Sequence, residues 1–321
     1  LGAIVLVTAA MMASAMVFAR PLIGLFTPPG GAVFDLALHG FWIFLWNFLF
    51  AGFNIFSSSL FTALSNGAVS ALISFLRTLV FVVGSILLLP RLLGLDGIVA
   101  IGGDGTFRGA QDLSRFGVSV VGVPGTIDND IACSEYTIGY DTAMNTAVEM
   151  IDKLRDTTQS HDRCSVVEVM GRNAGYIALN VGIATGALAI LIPERPYDLD
   201  HDIISRMNQT QKTGKKHFIV IVAEGVGHAQ ELANEIQART GIDSRATVLG
   251  HVQRGGSPTL RDRVTASQMG YHAVNLLEKG IYNRVVAVSA DKIVDYDINV
   301  ALSMHKTIDT MMLDVANTIS I

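Results

Sequence analysis

The composition of this chain breaks between Leu95 and Asp96, and the two sides of the break ask for different surroundings. Before it lie three of the 23 basic residues (Arg20, Arg77, Arg91), one of the 28 acids (Asp35), twelve of the 15 phenylalanines and both tryptophans. After it lie every lysine, all seven tyrosines and both cysteines. A stretch so poor in charge buries its surface in lipid or in a large core, whereas the remainder has the mixed surface of a water-facing domain. That remainder is acidic, which argues against a general nucleic-acid surface. Cys133 and Cys164 have neither metal nor redox spacing, so a reducing compartment is the default.

Three runs in the first part, 3–19, 33–63 and 69–90, are long enough to cross a bilayer as helices, which takes about 20 residues. FTPPGG (26–31) and SNG (65–67) are turn formers between them. Trp42 and Trp46 suit an interface, and Arg77 suits snorkelling. Arg20 follows the first run instead of preceding it, which does not fit a signal peptide. The competing reading is a buried helical hairpin of a large soluble protein. The ordered series LWNF, FNIF, TALSNG and SALISFLRT resembles part of the second half of the multidrug and toxin extrusion (MATE) transporter family, over nearly all of 1–98. The resemblance implies a membrane-associated fragment through 1–95, with three of the family's dozen or so helices, too few to build the path between two helical halves that transport needs.

From Ile98 short apolar runs alternate with amphipathic ones. Strands are expected at 98–102, 118–123, 165–169, 187–192, 217–223, 246–250 and 284–289. Helices are expected at 107–115, 139–157, 173–185, 199–212, 228–239 and 259–279. This alternation predicts a doubly wound α/β fold with a mainly parallel sheet. Ligands of such sheets gather beyond the carboxyl ends of the strands, so the turns that follow strands carry the information.

Four such turns do. IGGDGT (101–106) offers glycine backbone to phosphate oxygens and Asp104 to Mg²⁺; the plain alternative is a strand-to-helix turn. PGTIDND (124–130) holds Asp128 and Asp130, two apart and so on one side of an extended segment; the alternative is an Asx-rich turn. VEVMGRNAG (167–175) pairs Gly171 with the planar cation of Arg172, suited to a phosphoryl group, or simply exposes an arginine. TVLGHVQRGGSP (247–258) sets His251 and Arg254 beside a glycine pair, suited to a sugar phosphate, or else holds a capping histidine and a solvated arginine. Four together, each at a strand end, favour a phosphate-handling site.

These stretches, with IGYDTAMNTAVEMIDKLRDT, SVVEVMGR and KKHFIVIVAEG, closely resemble the 6-phosphofructokinase family over essentially all of 97–321. The resemblance implies phosphoryl transfer from ATP to the 1-hydroxyl of fructose 6-phosphate, with Mg²⁺, in a cytoplasmic homo-oligomer, a tetramer in the family. Asp128 would be the general base, with Thr126 and Asp130 beside it and Ile127 at the substrate. Asp104 would position Mg²⁺, and Gly103, Gly105 and Thr106 would touch the nucleotide phosphates. Arg172, with Met170 and Gly171, would stabilise the transferred group. Glu224 would accept from sugar hydroxyls, and His251 and Arg254 would hold the 6-phosphate. Arg163 and Arg245 match residues that reach a neighbouring subunit's site. Pyrophosphate-using relatives carry Asp where Gly105 stands and Lys where Gly125 stands, so the resemblance points to ATP. Arg155, Lys215 and Lys216 match effector-site positions, while Leu188 stands where an acidic effector ligand is often found.

The family's opening strand and its TSGGDxPGMNA-like loop have no counterpart in 1–97, which implies impaired turnover. LGLDGI at the join has letters that both families share, which implies a chimeric reading frame. Three functions are thus expected, in this order: an ATP-dependent 6-phosphofructokinase; a membrane fragment of a MATE-type antiporter with a non-catalytic tail; and a membrane-tethered sugar-phosphate binder.

Overall fold

The computed structural model describes residues 2–24, 29–31, 34–35, 37–42, 96–309 and 311–319. The chain divides into two compact units, Leu1–Leu92 and Leu93–Ile321. In the first, helix α1 runs over Gly2–Gly24 and contains Pro21. Its side chains are described from Ala10 onward, and this part contains Arg20 and Pro21, which interrupt the apolar run and the helical hydrogen-bond ladder. Among the described residues no helix is long and apolar enough to cross a membrane. The expected span at 3–19 is therefore not supported; that at 33–63, apart from 34–35 and 37–42, and that at 69–90 lie outside the described residues.

The second unit is α/β. Its strands are β1 (Ile98–Gly102), β2 (Val120–Pro124), β3 (Cys164–Val169), β4 (Ala189–Leu191), β5 (Phe218–Ala223), β6 (Ser244–Val248), β7 (Arg284–Ser289) and β8 (Lys292–Asp297). Its helices are α2 (Asp104–Arg115), α3 (Tyr140–Ser160), α4 (Tyr176–Ala184), α5 (Ser205–Gln211), α6 (Ala229–Thr240), α7 (Leu260–Glu278), α8 (Ile298–Ser303) and α9 (Met311–Ile319).

The expected sheet is two sheets of four strands each, in the orders β1-β2-β7-β8 and β4-β5-β3-β6. The 21-residue helix α3 carries the chain from the first to the second. All pairings are parallel except that of β7 with β8. Alternate residues of the central strands point to different cores, as period-two geometry requires. Val121, Val123, Val167, Val169, Ile219 and Ile221 pack with α3 and α7 in the core between the sheets. Cys164, Val166, Phe218, Val220 and Val222 pack with α6 on the far face of the second sheet. Val120, Val285 and Ala287 pack with α2 and α8 on the far face of the first.

Each expected strand and helix of this unit has a counterpart, shifted by a few residues; the strand expected at 246–250 is found at Ser244–Val248. Strand β8 and helices α8 and α9 were not expected. Ala290 and Asp291 turn β7 into β8 with φ of +46° and +58°. A two-residue hairpin of this kind ordinarily carries Asn or Gly, so SADKI gave no turn signal.

Candidate active site

The carboxyl ends of β1 and β2 bring the first two turns side by side. Gly125 N–H donates to the Gly102 carbonyl at 3.0 Å. A Cβ on Gly103 would lie 3.6 Å from Thr126 Cβ. Thr126 Oγ1 donates to Asp128 Oδ2 at 3.4 Å and accepts the Asp128 N–H at 3.3 Å. Between the two aspartates Asn129 is buried and takes a φ of +52°, which Asn tolerates better than most residues. Burial pushes the Asp128 carboxyl above its ordinary value, and the charges of Asp130 and Glu224 add to that; Thr126 and Arg172 pull the other way and are outweighed. A carboxylate raised in this manner is a better proton acceptor than a solvated one.

The third turn faces the second. Gly171 and Arg172 have φ of +148° and +58°, and their N–H groups donate to Glu224 Oε2 at 3.2 and 3.0 Å. A Cβ on Gly171 would meet the Ala174 carbonyl at 2.6 Å, so the turn admits only glycine there. Glu224 is itself fixed by its N–H on the Val169 carbonyl at 2.9 Å. Arg172 Nη1 stands 3.6 Å from Asp130 Oδ2 with its side chain 64% exposed, which leaves a cation open to a ligand. The Gly250–Arg254 turn docks beside it: Leu249 N–H donates to the Glu168 carbonyl at 3.0 Å, and Met170 N–H to Gln253 Oε1 at 2.8 Å. Arg254 and Ile127 line one pocket of about 310 Å³ with Gln253. His251 and Arg254 are exposed.

Asp104 and Asp130 line another pocket, of about 180 Å³. Asp130 Oδ1 is buried without a hydrogen-bond partner, while Asp104 Oδ2 accepts from Arg108 Nε at 2.7 Å. No group of three or more His, Cys, Asp or Glu side chains able to hold a metal occurs among the described residues. Two carboxylates, one with an orphaned oxygen, fit Mg²⁺, which is ordinarily held by one or two carboxylates together with phosphate oxygens and water. Gly103 caps α2, whose amino end supplies backbone N–H groups to an anion. A Cβ on Gly105 would have nothing within 4 Å, so that side of the turn is open, and Thr106 Oγ1 packs under Gly102.

The structure thus gathers Asp104, Thr126, Asp128, Asp130, Met170, Gly171, Arg172 and Glu224 at neighbouring strand ends. It does not bring Arg163 or Arg245 there. Both pair with Asp243, at 2.6 and 3.1 Å, at the amino ends of β3 and β6. Three residues that the sequence motifs do not single out belong to the surroundings. Gln253 is 1% exposed, and its Nε2 has no partner. Asp262, on α7, accepts from Tyr136, Gly139 and Thr142. Lys306 reaches the loop between β2 and α3 from near the carboxyl terminus. Asp262 and Lys306 lie in no turn that directly follows a strand, the signal that finds the others. Gln253 sits inside the fourth motif, between His251 and Arg254, where an amide gives no charge signal of its own.

A sequence model of the phosphofructokinase family matches residues 82–277. The chain belongs to the phosphofructokinase family. It is 54% identical over 231 residues to the ATP-dependent 6-phosphofructokinase of Lysinibacillus sphaericus, covering 72% of each chain. With that of Clostridium botulinum strain Hall it is 53% identical over 227 residues, covering 71% of each. It superposes on phosphofructokinase from Saccharomyces cerevisiae with a TM-score of 0.62 at 31% identity, over 72% of this chain and 34% of the yeast one. The chain therefore spans about a third of that longer phosphofructokinase. The family match begins at residue 82, inside the apolar stretch likened above to a transporter. The transporter likeness, the chimeric frame and the membrane association built on it are not supported.

Proposed function

We propose that this phosphofructokinase transfers the terminal phosphoryl group of ATP to the 1-hydroxyl of fructose 6-phosphate. The observation that carries the reading is the placement of Asp128, its carboxyl raised by burial and by Asp130 and Glu224, in the same strand-end cluster as the exposed cation of Arg172. Asp128 accepts the proton of the 1-hydroxyl as that oxygen bonds to the γ-phosphorus. The bond to the β,γ-bridging oxygen breaks, and ADP leaves with the electron pair. Arg172 faces the charge that spreads over the transferred oxygens, where a positioned cation is most effective. Mg²⁺, held by Asp104 and Asp130, would neutralise the donor phosphates. Gly103, Gly105 and Thr106 present the amino end of α2 to them.

Glu224 spends Oε2 on the Gly171 and Arg172 N–H groups and directs its other oxygen at sugar hydroxyls. His251 and Arg254 hold the 6-phosphate, Arg254 from the pocket that it lines with Ile127. Gly105, with nothing within 4 Å of a Cβ built on it, leaves room for a donor the size of ATP rather than filling it with an acid, whereas a Cβ on Gly125 would meet Ile101 Cγ2 at 2.9 Å. Arg163 and Arg245, remote from the cluster of their own chain, serve a neighbouring subunit in a homo-oligomer. A coupled assay of ADP release on the purified chain, with ATP, Mg²⁺ and fructose 6-phosphate, tests the reading. Asp128→Asn should lower kcat by about 10²- to 10⁴-fold, the scale of general-base catalysis, with little change in the KM of fructose 6-phosphate. Turnover that survives this substitution unchanged would remove Asp128 from the chemistry.

A further inference from the structure

Lys306 lies outside every motif that pointed to the site, yet its ammonium ends in the loop that carries the two aspartates. Nζ donates to the Asn129 carbonyl at 2.9 Å and to the Ser134 carbonyl at 2.8 Å. It also stands 4.8 Å from the centroid of the Tyr176 ring, within the range of a cation–π contact. The two carbonyls mark the two ends of segment 129–134, so one side chain closes that segment like a clasp. Asn129, at one end, holds the positive φ that separates Asp128 from Asp130. At the other end Ser134 is fixed to the first sheet, its Oγ accepting the Val288 N–H at 2.9 Å. The remaining bonds of Asn129 are long: Nδ2 to the Glu135 carbonyl at 3.3 Å and Oδ1 from Thr137 Oγ1 at 3.4 Å.

We infer that Lys306 is a positioning residue for the phosphoryl transfer proposed above, holding the Asn129 peptide in the strained turn that aims Asp128 and Asp130 into the cleft. The inference rests on that reading for its catalytic consequence, though not for its structural one. A charged donor is needed because two carbonyls and a ring face must be satisfied at once, and a hydrogen bond from a charged donor is about twice as strong as a neutral one. Burial draws the Lys306 amine down to about 8, against the opposing charges of Asp130, Cys133 and Glu135. Two of its three N–H groups are engaged on backbone carbonyls and the ammonium faces the Tyr176 ring, so it acts through the loop.

The test is hydrogen–deuterium exchange over peptide 125–135 together with steady-state kinetics, for the unmodified chain, Lys306→Met and Lys306→Arg. Lys306→Met should speed exchange in this peptide and leave peptides of β3 and β5 unchanged. It should lower kcat on the order of 10²-fold, the scale for a reacting group displaced by about 1 Å, with both KM values within about twofold. Lys306→Arg should restore most of both. Unchanged exchange in 125–135, or a kcat that does not move, would overturn the inference, as would a uniform rise in exchange across all peptides. If Lys306→Met does not fold, Tyr176→Leu decides: faster exchange confined to 125–135 supports the clasp, and unchanged exchange refutes it. An unmodified chain without turnover would count against the kinase reading alone, since the exchange arm still judges the clasp.

Discussion

As the proposed proton acceptor Asp128 works only when ionised, so on that reading the field around its carboxyl sets the acidic limit of the reaction. Burial is the main cause of its raised pKa, with the negative charges of Asp130 and Glu224 next. Activity therefore rises with pH through a value above the ordinary 3.8 of an aspartate. Glu224→Gln removes one of those charges and keeps an oxygen to accept the N–H groups of Gly171 and Arg172. The acidic limb of kcat/KM should move to lower pH in this variant, since one of the like charges that raise the Asp128 carboxyl is gone. Its pH profile against that of the unmodified chain is the measurement. A limb that stays in place would mean that another group titrates there. The residues of this cluster were legible because glycine and aspartate collect in turns directly after β-branched strands. The bond that joins Arg172 N–H to Glu224 was not, because 52 positions separate them and nothing local records the pairing.

Among the elements, the joint between α3 and α7 was the least visible in the sequence and is one of the most heavily bonded. Asp262 is 2% exposed. Its N–H donates to Thr259 Oγ1 at 3.3 Å, which caps α7. Its carboxylate accepts from Tyr136 Oη at 2.5 Å, from Gly139 N–H at 2.8 Å and from Thr142 N–H at 2.9 Å, with Thr142 Oγ1 a further donor. The amino end of α3 is thus capped from α7, over sequence separations of 120 to 126. Helical periodicity shows that both helices exist, but it says nothing of an acid on one that satisfies the orphan N–H groups of the other. Burial alone would raise this carboxyl; the donors of Thr142, Tyr136 and Gly139 outweigh it and hold the pKa below 3.8. The stability it supplies is then fully present above the unfolded value near 3.8 and is lost as pH falls through the lower folded one. Asp262→Asn turns an amide donor toward these donors and should cost on the order of 3 kcal/mol, read as a lower midpoint in urea at pH 7. The difference from the unmodified chain should shrink on acidification below about pH 4. An unchanged midpoint at pH 7 would show that the joint adds nothing to stability.

The second sheet has two ends, and they carry different chemistry. Beyond its carboxyl end lie Met170, Gly171, Arg172, Glu224 and the Gly250–Arg254 turn. Before its amino end Asp243 holds Arg163 and Arg245, and these two arginines keep the Asp243 carboxyl below its usual range, Arg245 first. From Arg163 to Met170 is seven residues of extended chain, roughly 23 Å at 3.3 Å per residue, beyond the reach of an arginine side chain. Within one chain these cations therefore have no access to the site, which agrees with the expectation that they reach a neighbouring subunit's. The position of Arg163 ahead of its strand was readable from the residues themselves; that it would serve a neighbouring subunit came only from the family resemblance, because a second copy leaves no trace in the spacing or periodicity of one sequence. If they complete the 6-phosphate pocket of a neighbour, each site takes Asp128 from one chain and Arg163 from another. Arg163→Ser and Asp128→Asn would then each be nearly inactive alone, while a mixture refolded or co-expressed at equal amounts would regain activity. Random assembly into a symmetric oligomer gives both intact parts to about a quarter of the sites, so turnover near a quarter of the unmodified level is expected. Recovery should be absent when the two variants are purified separately and mixed without subunit exchange. A co-assembled mixture no more active than its components would return Arg163 and Arg245 to a structural ion pair on Asp243.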